Sequence, residues 1–144
     1  MFFIYNIFLS IILLISPIIL LIRIFLGKED KIRFKEKFCF FSKKNYVNGT
    51  IWFHGASVGE ILSIIPIVER FEKDNKIKKI LITSSTTSSS YILSKYKFKK
   101  TIHQFYPFDL NILTKLFINY WKPRLAIFVD SEIWPNMYNN LYKR

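Results

Sequence analysis

From Met1 to Ile22 the chain carries no charged residue, and Asn6, Ser10, Ser16 and Pro17 are the interruptions in an otherwise apolar run. About 20 such residues match the hydrocarbon core of a bilayer. The pattern therefore predicts a membrane anchor over residues 1–26, which Pro17 can kink and from which Arg23 can snorkel. Spanning and partly embedded placements both fit. A secretory leader would need a basic start, a shorter apolar core and a small-residue cleavage site, and none is present.

Residues 27–49 mix charges with aromatics (Phe34, Phe38, Phe40, Phe41) and end in an Asn48-Gly49 turn signal, which predicts a short helix and connector near the membrane. From Thr50 the period changes. Apolar runs at Ile51 to Phe53, Ile80 to Thr83, Thr101 to Tyr106 and Leu125 to Val129 read as buried strands. Between them, Ile61, Ile64, Ile65, Val68 and Phe71 recur at three- and four-residue spacing and predict a helix from Glu60 to Phe71, with Pro66 inside it. Ser89 to Tyr96, Asn111 to Trp121 and Pro135 to Leu141 read as further helices.

Strands alternating with helices at this interval predict an α/β fold, a Rossmann-like parallel-sheet domain over residues 50–144. Such sheets receive ligands at the carboxyl ends of their strands. HGASVGE (54–60), SSTTSSS (84–90), YPFD (106–109) and DSEIWPN (130–136) follow the four strands in turn, so one edge should gather all of them.

Composition adds less. The 22 Lys and Arg outnumber the 10 Asp and Glu, giving a net charge of +12. With cations at Arg23, Lys28, Lys31, Arg33, Lys35 and Lys37 beside the anchor, the balance suits anionic headgroups and a cytoplasmic domain. It does not point to nucleic acid, for which no motif is present. A coding bias that inflates Lys, Ile, Asn and Phe accounts for part of it. The lone Cys39 allows no internal disulfide, and one Cys with two His (His54, His103) at unrelated spacing predicts no metal site.

HGASVGE holds two rival chemistries. Gly55-Ala56-Ser57-Val58-Gly59 matches the G-x-S-x-G elbow of serine hydrolases. That fold orders its triad as Ser, acid, His; the only histidine after Ser57 is His103, and the intervening acids crowd into the first helix. The other candidate is Glu60, placed by the pattern at the first helical residue, where orphan backbone amides favour a carboxylate. Gly55 and Gly59 would leave room for a substrate. A membrane-anchored serine hydrolase using Ser57 and a non-catalytic membrane-bound module remain the alternatives.

The ordered set of HGASVGE, Pro66, the Ser/Thr-rich segment, Tyr106-Pro107-Phe108-Asp109 and Ser131-Glu132-Ile133-Trp134-Pro135-Asn136 resembles the amino-terminal half of the bacterial 3-deoxy-D-manno-octulosonic acid (Kdo) transferases. The resemblance implies a two-domain GT-B glycosyltransferase of lipopolysaccharide core biosynthesis. Such an enzyme moves Kdo from CMP-Kdo to a lipid A precursor at the cytoplasmic face of the inner membrane, with no cofactor beyond that donor substrate. It implies Glu60 as proton acceptor, and Gly55, Ser57, Gly59 and Glu132 as substrate-binding residues. The family's second acidic segment usually reads E-T-E-L-W-P-N. Asp130 and Ser131 depart from it, and Asp130, one methylene shorter than Glu, is the expected transition-state stabiliser. The helical pattern still runs at Arg144, so residues 50–144 are expected to be an acceptor-side domain without its carboxyl-terminal donor domain.

Overall fold

A computed structural model describes residues 2–45, 48–129 and 133–144. The first helix, α1, runs Phe2–Phe25 and is long and apolar enough to cross a membrane. A 3-10 turn follows at Arg33–Phe38. Then come β1 (Thr50–His54), α2 (Val58–Lys73), β2 (Ile80–Ser84), α3 (Thr87–Ser94), β3 (Thr101–Phe105), α4 (Asn111–Trp121), β4 (Pro123–Phe128) and α5 (Pro135–Tyr142). All pairings are parallel in the order β3-β2-β1-β4, the Rossmann-like α/β sheet the pattern predicts.

Side-chain alternation along the strands builds a core on each face of the sheet. Ile51, Phe53, Ile80 and Ile82 point to α2 and α3, where Ile61, Ile64, Ile65 and Val68 meet them. Trp52 and Leu81 point the other way and pack with Phe117, Ile118 and Trp121 of α4 and Met137 of α5. The apolar stripe of α2 is the predicted one, and the helix runs on through Pro66, which lies on its exposed face. Gly49 enters β1 at φ +77, a left-handed turn that suits glycine.

Several boundaries move for local reasons. β4 begins at Pro123, two residues earlier than predicted, because Pro123 pairs with Thr50 on an edge strand where a missing N–H is tolerated. α3 begins at Thr87, since Thr86 caps it by accepting from the Ser89 N–H (3.2 Å).

The connector contains the predicted short helix, as the 3-10 turn, and folds onto the β3 edge. Arg33 grips buried Glu36 with two hydrogen bonds (2.9 and 3.0 Å), Ser42 donates to the same carboxylate, and Glu36 accepts the Phe105 N–H (2.9 Å). Arg33 also donates to the His103 carbonyl (3.0 Å). Two edge groups that would invite another strand are thereby satisfied. Buried Glu29 takes Lys37 (2.8 Å) and Arg23 (3.2 Å). Three of the six cations beside the anchor are thus spent on internal pairs, leaving Lys28, Lys31 and Lys35 exposed. Phe41 stacks on Tyr120 with ring centroids 3.8 Å apart and Phe38 meets Phe108 edge-on, whereas Phe40 stays exposed. Cys39 lies between them, buried, donating to the Leu113 carbonyl (3.1 Å), and burial pushes its thiol up to about 12.

Burial, and secondarily the Arg33 charge, push the His103 imidazole down from 6.5 to about 3. Arg33 can only donate, so His103 Nδ1 accepts (3.0 Å) and Nε2–H donates to Ser84 Oγ (2.8 Å). The unfolded chain binds the proton that the folded one refuses. Stability is therefore full above pH 6.5 and falls as pH drops toward about 3. His103→Gln should cost about 1–2 kcal/mol at neutral pH and flatten that dependence, as read from thermal melts across pH 4–7.

Candidate active site at the carboxyl edge

The strand order reverses at β1, with β2 on one side and β4 on the other, and open α/β sheets receive ligands beyond the carboxyl ends of the strands at such a point. β1 enters it at His54. The Gly55 N–H bonds to the Thr83 carbonyl (3.1 Å) and the Val129 N–H to the His54 carbonyl (2.8 Å), so the chain leaves the sheet on both sides of the same point.

Ser57 is the N-cap of α2: its hydroxyl accepts the Glu60 N–H (3.3 Å) and donates to Glu60 Oε1 (2.5 Å). The Ala56 N–H holds Glu60 Oε2 (2.8 Å). The S-x-x-E sequence is that of a capping box, with the acid turned back to the Ala56 N–H, one residue before the cap, and to the Ser57 hydroxyl. Glu60 is consequently the third residue of α2, not the first. Each carboxylate oxygen has one donor, which fixes the group's orientation and leaves lone pairs for a substrate.

Gly55 is buried, and a Cβ there would stand 3.1 Å from Glu60 Cβ and 3.3 Å from Ile61 Cδ1. Its missing side chain thus makes room for Glu60. Gly59 is exposed, with only Ser57 Oγ at 4.0 Å from such a Cβ, and it leaves the loop's outer surface open. Asp130, Ser131 and Glu132 lie outside the described residues.

Beneath the loop, His54 donates from Nδ1 to Thr83 Oγ1 (2.9 Å), which also accepts from Trp52 Nε1 (2.8 Å). The His54 ring stacks on Tyr106 (4.0 Å) and Tyr106 packs on Trp134 (5.1 Å), so three of the polar segments share one aromatic floor. Asp109 joins two of them. Its carboxylate accepts the N–H groups of Asn136 (2.9 Å) and Met137 (2.8 Å), capping α5 behind Pro135, and takes the Tyr5 hydroxyl (2.8 Å) as well. Burial raises the Asp109 carboxyl above its ordinary range, against those hydrogen bonds, which act the other way. Sequence reasoning placed YPFD at the edge but gave Asp109 no job. The signal was an acid ahead of an uncapped W-P-N helix start, a pairing that periodicity does not reveal.

The serine-hydrolase reading fails on geometry. His103 is committed to Ser84 and Arg33, His54 to Thr83, and Ser57 to Glu60. A cavity of about 780 Å³ opens along β4 between Gly49, Arg124 and Leu141, and its lining includes none of the predicted site residues that are described. In the Ser84–Ser90 segment, Ser84 bonds to His103, Thr86 to Ser89 in the helix cap, and Ser90 Oγ accepts from Arg33 Nη1 (3.0 Å). Among the described residues no cluster of His, Cys, Asp and Glu forms a metal-binding group.

Fold and site together define a Rossmann-like α/β domain that sets an oriented, half-exposed carboxylate at its ligand-receiving edge. The chain belongs to the 3-deoxy-D-manno-octulosonic-acid transferase (kdotransferase) family, whose model matches residues 32–144. It is 42% identical over 138 residues to the 3-deoxy-D-manno-octulosonic acid transferase of Rickettsia bellii, covering 95% of this chain and 33% of that protein. A probable mitochondrial 3-deoxy-D-manno-octulosonic acid transferase of Arabidopsis thaliana is 30% identical over 94% of this chain and 31% of its own length. The Aquifex aeolicus transferase is 31% identical over 68% of this chain and 28% of its own. The chain thus spans about a third of the length of the curated relatives it matches.

Ser57→Ala should lower stability by about 1 kcal/mol through loss of the cap, measured by denaturant melts. A fluorophosphonate probe should leave Ser57 unlabelled in the unaltered protein.

Proposed function

We propose that this domain carries the acceptor side of a glycosyl transfer in which Kdo passes from CMP-Kdo to a hydroxyl of a lipid A precursor. Glu60 takes the proton from the acceptor hydroxyl as that oxygen attacks the anomeric carbon, CMP departs with the bonding pair, and the configuration inverts. The observation that supports this most is the double grip on the Glu60 carboxylate by the Ala56 N–H and the Ser57 hydroxyl at the edge of the sheet, on a chain of this family. Ser57 and Gly59 form the floor beside the acceptor, and Gly55 seats Glu60.

Asp130 opposes the positive character that the sugar ring gains in the transition state, and Glu132 contacts substrate. The donor-binding half is supplied by sequence outside these 144 residues, and no cofactor takes part. Attachment to the cytoplasmic face of the inner membrane, through α1, brings the site to a lipid acceptor.

The test is to join residues 1–144 to the remaining two-thirds of the Rickettsia bellii relative and follow Kdo incorporation into a lipid A precursor. Glu60→Gln should reduce kcat by about 10²-fold or more with the fold intact. Undiminished transfer would make the domain a binding module instead. Gly55→Ala should cost at least about tenfold through displacement of Glu60, since angstrom-scale misplacement of a reacting group is that expensive. The 144 residues by themselves should show no transfer.

A further inference from the structure

We propose that α1 lies in the plane of the membrane interface, with the side that carries Tyr5, Leu9, Leu13, Ser16 and Leu20 against the domain and the other in lipid, instead of crossing the bilayer. This rests on the reading that α1 attaches the chain to a membrane.

The docked face recurs at helical spacing. Leu9, Leu13 and Ser16 line the seam with Phe108, Asp109, Leu110 and Trp134, and Ser16 and Leu20 are buried. Both ends of the helix are tied by polar bonds. Near its start the Tyr5 hydroxyl donates to Asp109 (2.8 Å), and Asn136 Nδ2 donates to Asn6 Oδ1 (2.9 Å). At its end Arg23 pairs with Glu29, which also holds Lys37.

Eighteen residues separate Tyr5 from Arg23, a rise of about 27 Å. The hydrocarbon core is about 30 Å thick. An upright α1 that kept these bonds would carry Asp109, Asn136 and the carboxyl edge of the sheet across the membrane from Glu29 and Lys37. A carboxylate and loop backbone exposed to hydrocarbon carry a prohibitive desolvation cost.

The outer face is suited to lipid. Ile4, Phe8, Ile11, Leu14, Ile18 and Leu21 are exposed there, Leu14 at 80%, and Phe25 follows at 92%. A groove lined by Leu13, Ser16, Pro17 and Ile112 joins this surface to α4, where Ile112 and Leu116 are exposed too. Exposed Lys28, Lys31 and Lys35 follow the helix and match anionic headgroups, the arrangement of an interfacial helix. In this pose the carboxyl edge that carries Glu60 stands at headgroup level, where a phosphorylated lipid presents its hydroxyls.

The full chain, with an epitope at each end, is expressed in a bacterium and assayed in sealed, inverted inner-membrane vesicles treated with protease. In-plane docking predicts loss of both epitopes from the same outer surface. Loss of the carboxyl-terminal epitope with protection of the amino-terminal one would overturn the proposal while leaving membrane attachment standing. Recovery of the chain in the supernatant when the membranes are pelleted in physiological salt would instead overturn the attachment reading on which the proposal rests. As a second readout, a short bismaleimide should cross-link Asn6→Cys to Asn136→Cys within one chain in the vesicles; absence of that link, with both thiols reactive, also contradicts docking.

Discussion

Parallel pairing of β1 with β2 on one side and β4 on the other is the constraint on which the site depends, because it sends the chain out of the sheet on both flanks of His54. Both faces of β1 are buried, with Trp52 and Phe53 fully enclosed, so a slip of one residue would exchange the two cores and move every loop at the edge. Register is therefore fixed by packing, and with it the position of the Ser57 cap. The Glu60 carboxylate is held by its own loop, but the loop is held by the sheet.

The same edge uses a second carboxylate for a different end. Glu60 is half-exposed and keeps lone pairs free, whereas Asp109 is buried and bonded to α1 and to the start of α5. The first is oriented with acceptor capacity to spare at the sheet edge, and the second joins three parts of the chain. The aromatic stack from His54 through Tyr106 to Trp134 packs the segments that carry them against one another.

Much of this was legible before any coordinates. Short, continuous apolar runs bounded by polar segments marked the inner strands to within a residue or two, and Asn111–Trp121 matched because its apolar spacing and its flanks agree. α2 starts two residues before Glu60 because Ser57, the serine of the elbow motif, is the cap of the helix that carries Glu60, and the S-x-x-E signature marks that start. The connector was illegible for a different reason. Arg33 and Glu36 find partners about 57 to 70 residues away, and nothing in local periodicity separates a lysine or arginine that will be buried in a pair from one that will stay in water. The docked side of α1 was hidden likewise, since a helix apolar on every face does not say which face meets Asp109.

The central claim is that Glu60 faces the attacking hydroxyl, and the most direct measurement is a structure of a family-length enzyme carrying this domain with an acceptor analogue bound. A reacting hydroxyl within about 2.6–3.2 Å of the Glu60 carboxylate, with the Ser57 and Ala56 bonds retained, is the predicted result. A hydroxyl out of reach of Glu60 and bonded to another side chain would contradict it.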